Sequence, residues 1–340
     1  MNYLSKVLFA IVLIFSLNTL AQQSCSERLS TPVSSSRQKL NVSPDSQGEI
    51  SRSALEQMAR IQQGESRYGV LPEDKTRFFL HKNQSGEPIK TLHTVVIYHG
   101  LWNTPKWTNW LAEIIFDMGF NVINARLPKH GRAHVQSINT LDLEDFTNHT
   151  RIISGLSEEL GLQTVYIGHS AGGNSAIHSA VTHSDSTSGL IALGSALELR
   201  PYTRRMSFIL GRTFLSNIPL NWVPETYDRY RSLGAGRATH WFAEHLRDWD
   251  GGEDFSGLET ALSRLNALLI DVTDDGTISN EVNMQMGRGA GIDQVMVSSD
   301  LAHVQMLDNP EQHDEGTPQR EQTEVILETI LNFLTDIQSN

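Results

Sequence analysis

Cysteine is almost absent from this chain, whose 340 residues include a single one, Cys25. One cysteine cannot form an intrachain disulfide, and zinc sites built from cysteine ligands are excluded as well. A chain of this length buries enough apolar surface to fold without such crosslinks. Because Cys25 lies beside a stretch rich in serine, we interpret it as incidental rather than as a nucleophile.

Positive charge is also scarce, since 27 lysines and arginines stand against 39 aspartates and glutamates, for a formal net charge of -12. Such a chain is repelled by the phosphates of nucleic acids and by an anionic membrane surface. We therefore expect no nucleic-acid partner and no requirement for membrane contact. A neutral or lipid-like small molecule remains a compatible substrate, and the sequence leaves the oligomeric state open.

One apolar run stands out near the N-terminus, residues 7–17, and it is shorter than the ~20 residues of a transmembrane helix. Lys6 precedes the run, and Thr19 and Ala21 place small residues at the −3 and −1 positions of a signal-peptidase site. We expect residues 1–21 to be a signal peptide and the chain to be exported, periplasmic or secreted, after cleavage near Ala21. A retained membrane anchor and a lipid anchor at Cys25 are the alternatives.

Residues 22–50 are rich in serine, glutamine and proline, which predicts a flexible leader. Residues 51–340 form the predicted folded domain, in which short β-branched runs alternate with helical patterns. This alternation predicts an α/β fold with a mainly parallel, doubly wound sheet and helices on both faces. The predicted strands are 77–81, 94–98, 120–124, 164–167, 190–193, 267–270 and 294–297, and the predicted helices begin near 53, 107, 146, 172, 280 and 325.

Residues 199–262 interrupt this alternation and carry many aromatic side chains, among them Tyr202, Trp222 and Trp241. An insertion of this kind between two core strands predicts a helical cap over the carboxyl edge of the sheet. We expect most of the aromatic side chains to pack the cap onto the core and a minority to line a pocket.

The segment Gly168-His169-Ser170-Ala171-Gly172 follows a predicted strand and opens a predicted helix. A nucleophilic serine needs such a sharp strand-to-helix turn, because the turn projects its hydroxyl clear of the backbone. The glycines two residues before and after remove side chains that would collide there. Ser170 is therefore the candidate nucleophile, and we interpret His169 as a packing residue of the turn.

A serine hydroxyl needs a base, and the base needs an orienting carboxylate. In hydrolases with this kind of turn the chain order is serine, then acid, then histidine. Asp275 follows the predicted strand 267–270, at the sheet edge where such an acid belongs, and we prefer it. Asp274, Asp271 and Glu198 are the alternatives, and one of the two adjacent aspartates is expected to cap its own turn.

His303 follows the predicted strand 294–297 at the same edge, and it comes after the acid as the order requires. His313 lies in a polar stretch that we expect to be solvated. His240 and His245 are five residues apart, a spacing that fits neither one helical face nor metal ligation. Of the 13 histidines, His303 is therefore the candidate base.

A hydrolase of this kind also needs two N–H donors for the developing oxyanion. Ala171, at the start of the helix after the nucleophile, supplies one. Leu101 is the candidate for the other, because it follows Gly100 in the loop that ends the strand 94–98. We interpret His99 as a residue that orders this loop.

These residues together resemble the α/β-hydrolase superfamily, and within it the branch of monoacylglycerol lipases, lysophospholipases and serine aminopeptidase-like enzymes. The resemblance covers roughly 77–334 and is carried by His99-Gly100, Gly168 to Gly172, the Asp275 loop and His303. It implies an acyl-enzyme mechanism with Ser170, Asp275 and His303 as nucleophile, acid and base, and with Leu101 and Ala171 as oxyanion donors. It implies no cofactor and no metal.

A glycine-rich segment, Gly287 to Gly291, resembles a nucleotide-binding fingerprint in composition alone. It follows a predicted helix and precedes a strand, which is the reverse of the fingerprint's context. We therefore expect a connecting turn there.

The leading functional prediction is an exported hydrolase of carboxylic esters, lipid-like or acyl esters, whose aromatic cap supplies an apolar pocket. An aminopeptidase or amidase with the same triad is the alternative. It requires an acidic residue for a free amine, and Glu244, Asp248 and Glu253 are candidates. A non-catalytic binding protein of the same fold is the third hypothesis.

Overall fold

The computed structural model describes residues 46–101, 103–131, 138, 140–201, 233–252 and 254–339. Its strands form one sheet, and all of the predicted strands are present in it. The seven strands are β1 (Arg77–Phe79), β2 (Thr91–Tyr98), β3 (Asn121–Ala125), β4 (Gly161–His169), β5 (Thr187–Leu193), β6 (Ala267–Val272) and β7 (Asp293–Val297).

The strand order in the sheet is β1-β3-β2-β4-β5-β6-β7. Strand β1 pairs antiparallel with β3, and the other five pairings in the described sheet are parallel. The prediction of a mainly parallel sheet is therefore confirmed. Because the central strands run in one direction, their carboxyl ends lie along one edge, where α/β proteins place their sites.

Eight α-helices lie in the described residues, and the six predicted ones are among them. Their bounds are α1 (Arg52–Arg67), α2 (Pro105–Asp117), α3 (Leu143–Leu160), α4 (Ala171–Thr182), α5 (Leu233–Arg247), α6 (Ser256–Leu262), α7 (Asn280–Ala290) and α8 (Pro318–Ser339). The predicted stop of α3 is confirmed, since Gly161 caps this helix and is also the first residue of β4.

Both faces of the sheet are covered, which explains why the strands read as continuous apolar runs. In β2, Val95 and Ile97 point to one face and pack in a cluster with α2 and α8. Val96 and Tyr98 point to the other face, in a cluster with α1, α3, α4, α5, α6 and α7. All four side chains are completely buried. The sheet therefore lies at the centre of the fold, between two layers of helices.

The expectation of a connecting turn at Gly287 to Gly291 is wrong for most of the segment. Gly287 and Gly289 lie inside α7, and Gly291 alone leaves the helix, with φ 68°. A side chain at Gly287 would overlap Gln294, and one at Gly289 would overlap the carboxylate of Glu259. The glycines let α7 pack closely against its neighbours, a tertiary requirement that overrides their low helix propensity.

The predicted cap is described from residue 233 onward, as α5 and α6. Phe242 of α5 is fully buried and stacks on Phe146 of α3, with 4.9 Å between the ring centroids. This part of the insertion therefore packs against the helical layer of the core. Residues 202–232, which carry about half of the predicted cap, and residues 1–45, which carry the predicted signal peptide and most of the leader, lie outside the described residues. Within the described ranges, no helix combines the length and apolarity needed to cross a membrane.

Candidate active site

Ser170 occupies the turn between β4 and α4 in a strained backbone conformation, with φ 56° and ψ −120°. Positive φ costs a residue with a side chain about 1–3 kcal/mol, so this conformation persists only where the surrounding structure holds it. Two backbone hydrogen bonds, to the end of β5 and to the loop after it, hold Ser170 in this conformation. The Ser170 N–H donates to the Leu193 carbonyl at 2.9 Å, and the Ser170 carbonyl accepts from the Ala196 N–H at 3.2 Å.

The two glycines of the turn are required by close approach rather than by backbone angle. A Cβ at Gly172 would overlap the carbonyl oxygens of Tyr98 and His99, and one at Gly168 would overlap the Gly172 carbonyl. The first turn of α4 therefore rests directly on the end of β2. This packing brings the helix N-terminus, with its unpaired N–H groups, to the carboxyl edge of the sheet.

His303 lies beside the Ser170 hydroxyl, although the two residues are 133 positions apart. Its Nε2 atom is 2.8 Å from Ser170 Oγ, and its Nδ1 atom is 2.6 Å from Asp275 Oδ2. A carboxylate only accepts hydrogen bonds, so Nδ1 carries the proton and Nε2 accepts from the serine hydroxyl. The three side chains are all nearly buried. The structure thus brings the predicted nucleophile, acid and base together in one hydrogen-bonded relay.

Asp275 has both of its carboxylate oxygens occupied. Oδ2 accepts from His303, and Oδ1 accepts from the N–H groups of Thr277 at 2.7 Å and Ile278 at 3.2 Å. Burial by itself raises the pKa of Asp275, but the hydrogen bond and charge of His303 and the two N–H donors outweigh it and lower that pKa. The carboxylate is therefore ionised at neutral pH.

The other acidic candidates do not reach His303 by a hydrogen bond. Asp274 is exposed, with φ 55°. Asp271 lies within β6, where its Oδ1 accepts from Asn283 Nδ2 at 2.8 Å and burial raises its pKa to about 6. Glu198 is half-buried, and its carbonyl accepts from the Ser279 N–H.

The predicted oxyanion loop lies against the nucleophile. A Cβ built on Gly100 would be 3.5 Å from Ser170 Cβ, which places Gly100 and the adjoining Leu101 beside the serine. The buried His99 ring fixes this loop, because its Nδ1–H donates to the Gly100 carbonyl at 2.8 Å and its Nε2 accepts from the Leu127 N–H at 2.9 Å. Ala171 is the first residue of α4. The two predicted donors thus lie in segments that adjoin Ser170.

Several imidazoles of the fold are buried and held neutral, His169 of the site among them. Burial is the largest cause in each case, and nearby positive or histidine charges add to it. The pKa falls to about 3 for His149 and His169, to about 4 for His130 and His178, and well below its usual value for His99. Two buried carboxyls shift the other way, since burial raises the pKa of Asp271 to about 6 and that of Asp308 to about 7.

The candidates for binding a free amine are differently placed. The Glu244 carboxylate lies 3.3 Å from His240 and 3.5 Å from Arg247, and Asp248 also pairs with Arg247. Glu253 lies outside the described residues. His313 is half-buried and pairs with Asp308 at 3.5 Å, so the expectation that it is solvated is wrong.

Sequence reasoning missed two asparagines that hold the loops of the site. Asn174 Nδ2 donates to the Ala196 carbonyl, and Asn283 Nδ2 bridges the Ser195 carbonyl and Asp271. Lone asparagines inside helical patterns give no sequence signal for such a role.

In the described residues, no group of three or more His, Cys, Asp or Glu side chains is arranged to hold a metal ion.

Comparison with known proteins finds similar sequences and folds. A sequence model of the serine aminopeptidase S33 family matches residues 90–232. Among solved structures, one of the metagenome-derived lipolytic enzymes LipS and LipT is 20% identical, with a TM-score of 0.57, and the match covers 80% of this chain and all of that one. The monoacylglycerol lipase of Paleococcus ferrophilus is 19% identical with a TM-score of 0.50, covering 76% of this chain and 98% of that one.

A soluble variant of the monoglyceride lipase of Saccharomyces cerevisiae is 12% identical, with a TM-score of 0.52, and covers 77% of this chain and 91% of that one. A search of curated protein sequences finds no match. Structural likeness at such low identity establishes the fold, and the residues matched by the S33 family model include the turn around Ser170. The chain therefore has the α/β-hydrolase fold, and it is similar to serine aminopeptidase-like hydrolases and monoacylglycerol lipases.

Proposed function

We propose that this protein is a serine hydrolase that cleaves carboxylic esters through an acyl-enzyme on Ser170. The observation that carries the proposal is the hydrogen-bonded relay from Asp275 through His303 to the Ser170 hydroxyl, at 2.6 and 2.8 Å. These are the distances at which a general base accepts a proton from a nucleophile. The strained, positive-φ backbone of the serine supports the same assignment, because strain of this kind concentrates at active sites.

In the proposed mechanism, Ser170 Oγ attacks the ester carbonyl while its proton moves to His303 Nε2. The ionised Asp275 stabilises the imidazolium that forms. The oxyanion of the tetrahedral intermediate accepts from the N–H groups of Leu101 and Ala171. His303 then gives its proton to the departing alkoxide, which leaves as an alcohol. Water attacks the acyl-enzyme in the same way, and the carboxylic acid is released.

Ester substrates of apolar character are proposed on two grounds. The similar structures named above are lipolytic enzymes and monoacylglycerol lipases, and the predicted insertion carries many aromatic side chains. The peptidase alternative is not favoured by a specific contact, since Glu244 and Asp248 are already paired with Arg247. Export after cleavage near Ala21 stays a prediction.

The first test compares the wild type with Ser170→Ala on p-nitrophenyl esters of graded chain length, with an aminoacyl p-nitroanilide alongside. We expect ester turnover to fall by about 10⁴-fold or more in the variant, as on removal of a triad serine elsewhere. Ser175→Ala is the matched control. This serine lies on the helix that Ser170 caps and is also buried, but its hydroxyl bonds only to the Ala171 carbonyl in the described structure.

The control variant is expected to keep its activity within about twofold. Ester turnover that survives in Ser170→Ala would remove the proposed nucleophile. Turnover of the anilide without the esters would replace the esterase by a peptidase.

A further inference from the structure

His169 is a buried residue of the turn whose side chain contacts two other parts of the candidate site. Its Nε2–H donates to the backbone carbonyl of His303 at 2.8 Å, and the two rings lie 5.0 Å apart. On its other side, a Cβ at Gly100 would be 2.7 Å from His169 Nδ1, so the ring lies directly against the oxyanion loop. One imidazole thus touches the base and the oxyanion loop, and it is covalently adjacent to the nucleophile.

The hydrogen bond fixes the tautomer of this ring. Because a carbonyl only accepts, the proton is on Nε2, and Nδ1 has no donor within the described part of the chain. Burial, followed by the charge of His303, lowers the pKa of His169 to about 3. The ring is therefore neutral over the whole physiological range, and it acts as a donor of constant strength rather than as a titrating group.

We propose that His169 is a positioning residue, which holds the backbone of His303 and the loop at Gly100 in place beside Ser170. The proposal rests on the proposed function of the Asp275–His303–Ser170 relay. His303 lies in the long connection between β7 and α8, which contains only short 3-10 turns. A residue in such a connection needs an external anchor. The 2.8 Å bond from His169 is a direct link between the base's own backbone and the turn that carries the nucleophile.

The expected consequence follows from how sharply catalysis depends on geometry. A displacement of about 1 Å between reacting groups can lower the rate by about 100-fold. Loss of the His169 donor releases the His303 carbonyl without removing any member of the relay. The effect should therefore fall on kcat, while KM, which reflects the substrate pocket, changes little.

The test uses His169→Gln and His169→Leu in the full-length protein, with steady-state ester kinetics and thermal unfolding. Glutamine places an N–H donor at the same number of bonds from Cβ as histidine Nε2, whereas leucine fills similar volume without a donor. We expect a 10- to 100-fold lower kcat for His169→Leu, with KM within about threefold, and a kcat within about fivefold of wild type for His169→Gln. His169→Phe, which keeps a planar ring but no donor, replaces the leucine variant if that variant does not fold.

His178→Leu is the matched control. His178 is also buried and neutral and lies on α4, but its ring bonds to Thr150. Eight residues separate it from Ser170, about 12 Å along the helix axis. We expect its kcat within about twofold of wild type. A folded donor-free variant with more than half of the wild-type kcat would overturn the proposal, and so would equal impairment of the glutamine and leucine variants.

Failure of the proposed function is distinguished by the Ser170→Ala protein measured in the same assay. Activity that survives in Ser170→Ala would refute the proposed role of the Asp275–His303–Ser170 relay. Activity that depends on Ser170 but not on a donor at position 169 would refute only the proposed role of His169. The rate of labelling of Ser170 by a fluorophosphonate gives a second readout. It should fall in parallel with kcat in the donor-free variant and be restored by glutamine.

Discussion

Asp275 uses its two carboxylate oxygens for different partners, and this makes the effect of Asp275→Asn calculable. Oδ1 accepts two backbone N–H groups, from Thr277 and Ile278, while Oδ2 accepts from His303 Nδ1–H. An asparagine has one oxygen, which the two N–H donors will hold at the Oδ1 position. Its NH₂ group then faces His303 and donates to Nδ1. The histidine proton is forced onto Nε2, where it blocks acceptance from the Ser170 hydroxyl.

The expected loss of kcat in Asp275→Asn follows from the free energy needed to turn the asparagine amide the other way. Turning the oxygen toward His303 places an NH₂ group against two N–H donors and leaves both without an acceptor. Each buried donor left unsatisfied costs about 1–3 kcal/mol, so the productive orientation lies about 2–6 kcal/mol higher. At about 1.4 kcal/mol for each factor of ten, kcat should fall by about 30-fold to 10⁴-fold.

The assay is steady-state ester hydrolysis by Asp275→Asn, with Asp274→Asn as the matched control. Asp274 is the adjacent aspartate and is exposed, so its variant should keep its activity within about twofold. The unfolding temperature of both variants is expected to stay close to that of the wild type, since the asparagine keeps the backbone hydrogen bonds. The reasoning is refuted by an Asp275→Asn enzyme with more than a third of wild-type kcat, or by equal losses in both variants.

Two further predictions concern stability. Acidification from pH 7 to pH 5 should destabilise the fold by on the order of 5 kcal/mol in urea unfolding followed by circular dichroism. The unfolded chain takes up protons on the five imidazoles whose folded pKa values are lowered most, and the raised pKa values of two carboxyls offset about two of these protons. The lowered pKa values of His81, His93 and His245 act in the same direction. His178→Leu should lessen this dependence by about 2 kcal/mol, and a stability that is flat or rises on acidification contradicts the account. Gly172→Ala should destabilise by about 1–3 kcal/mol and abolish activity, because its methyl group meets the carbonyls at the end of β2. Gly155→Ala, on α3 with open space around it, should instead stabilise by up to about 1 kcal/mol, and similar effects at both glycines would refute the packing argument.

The sheet and most of its helices were predictable because each signal is local. Parallel strands covered on both faces read as short β-branched runs such as Val95-Val96-Ile97, and helices read as apolar positions three and four residues apart. The turn around Ser170 was predictable for a related reason. A glycine-flanked serine between a strand and a helix satisfies a steric requirement that lies within five residues.

The surface on which a helix packs is not a local property. Residues 233–247 carry aromatic side chains that favoured a cap, yet the buried face of α5 includes Ala235, Ala238 and Phe242, against the core helices. Small residues at helical spacing let the helix approach closely, but they do not identify its partner. The same limit applies to the glycines of α7. They are needed because the side chains of Glu259 and Gln294, elsewhere in the chain, pack directly against them.

The choice between Asp274 and Asp275 illustrates where local reasoning ends. Both follow β6 at the predicted edge, and residue order alone gives them equal claims. The backbone separates them, since Asp274 adopts φ 55° and its side chain is exposed, whereas Asp275 is buried. That burial is compatible with charge only because Thr277, Ile278 and His303 all donate to its carboxylate. A turn that supplied one donor fewer would leave a buried charge poorly compensated, so the acid is selected by the loop that follows it rather than by its position after the strand.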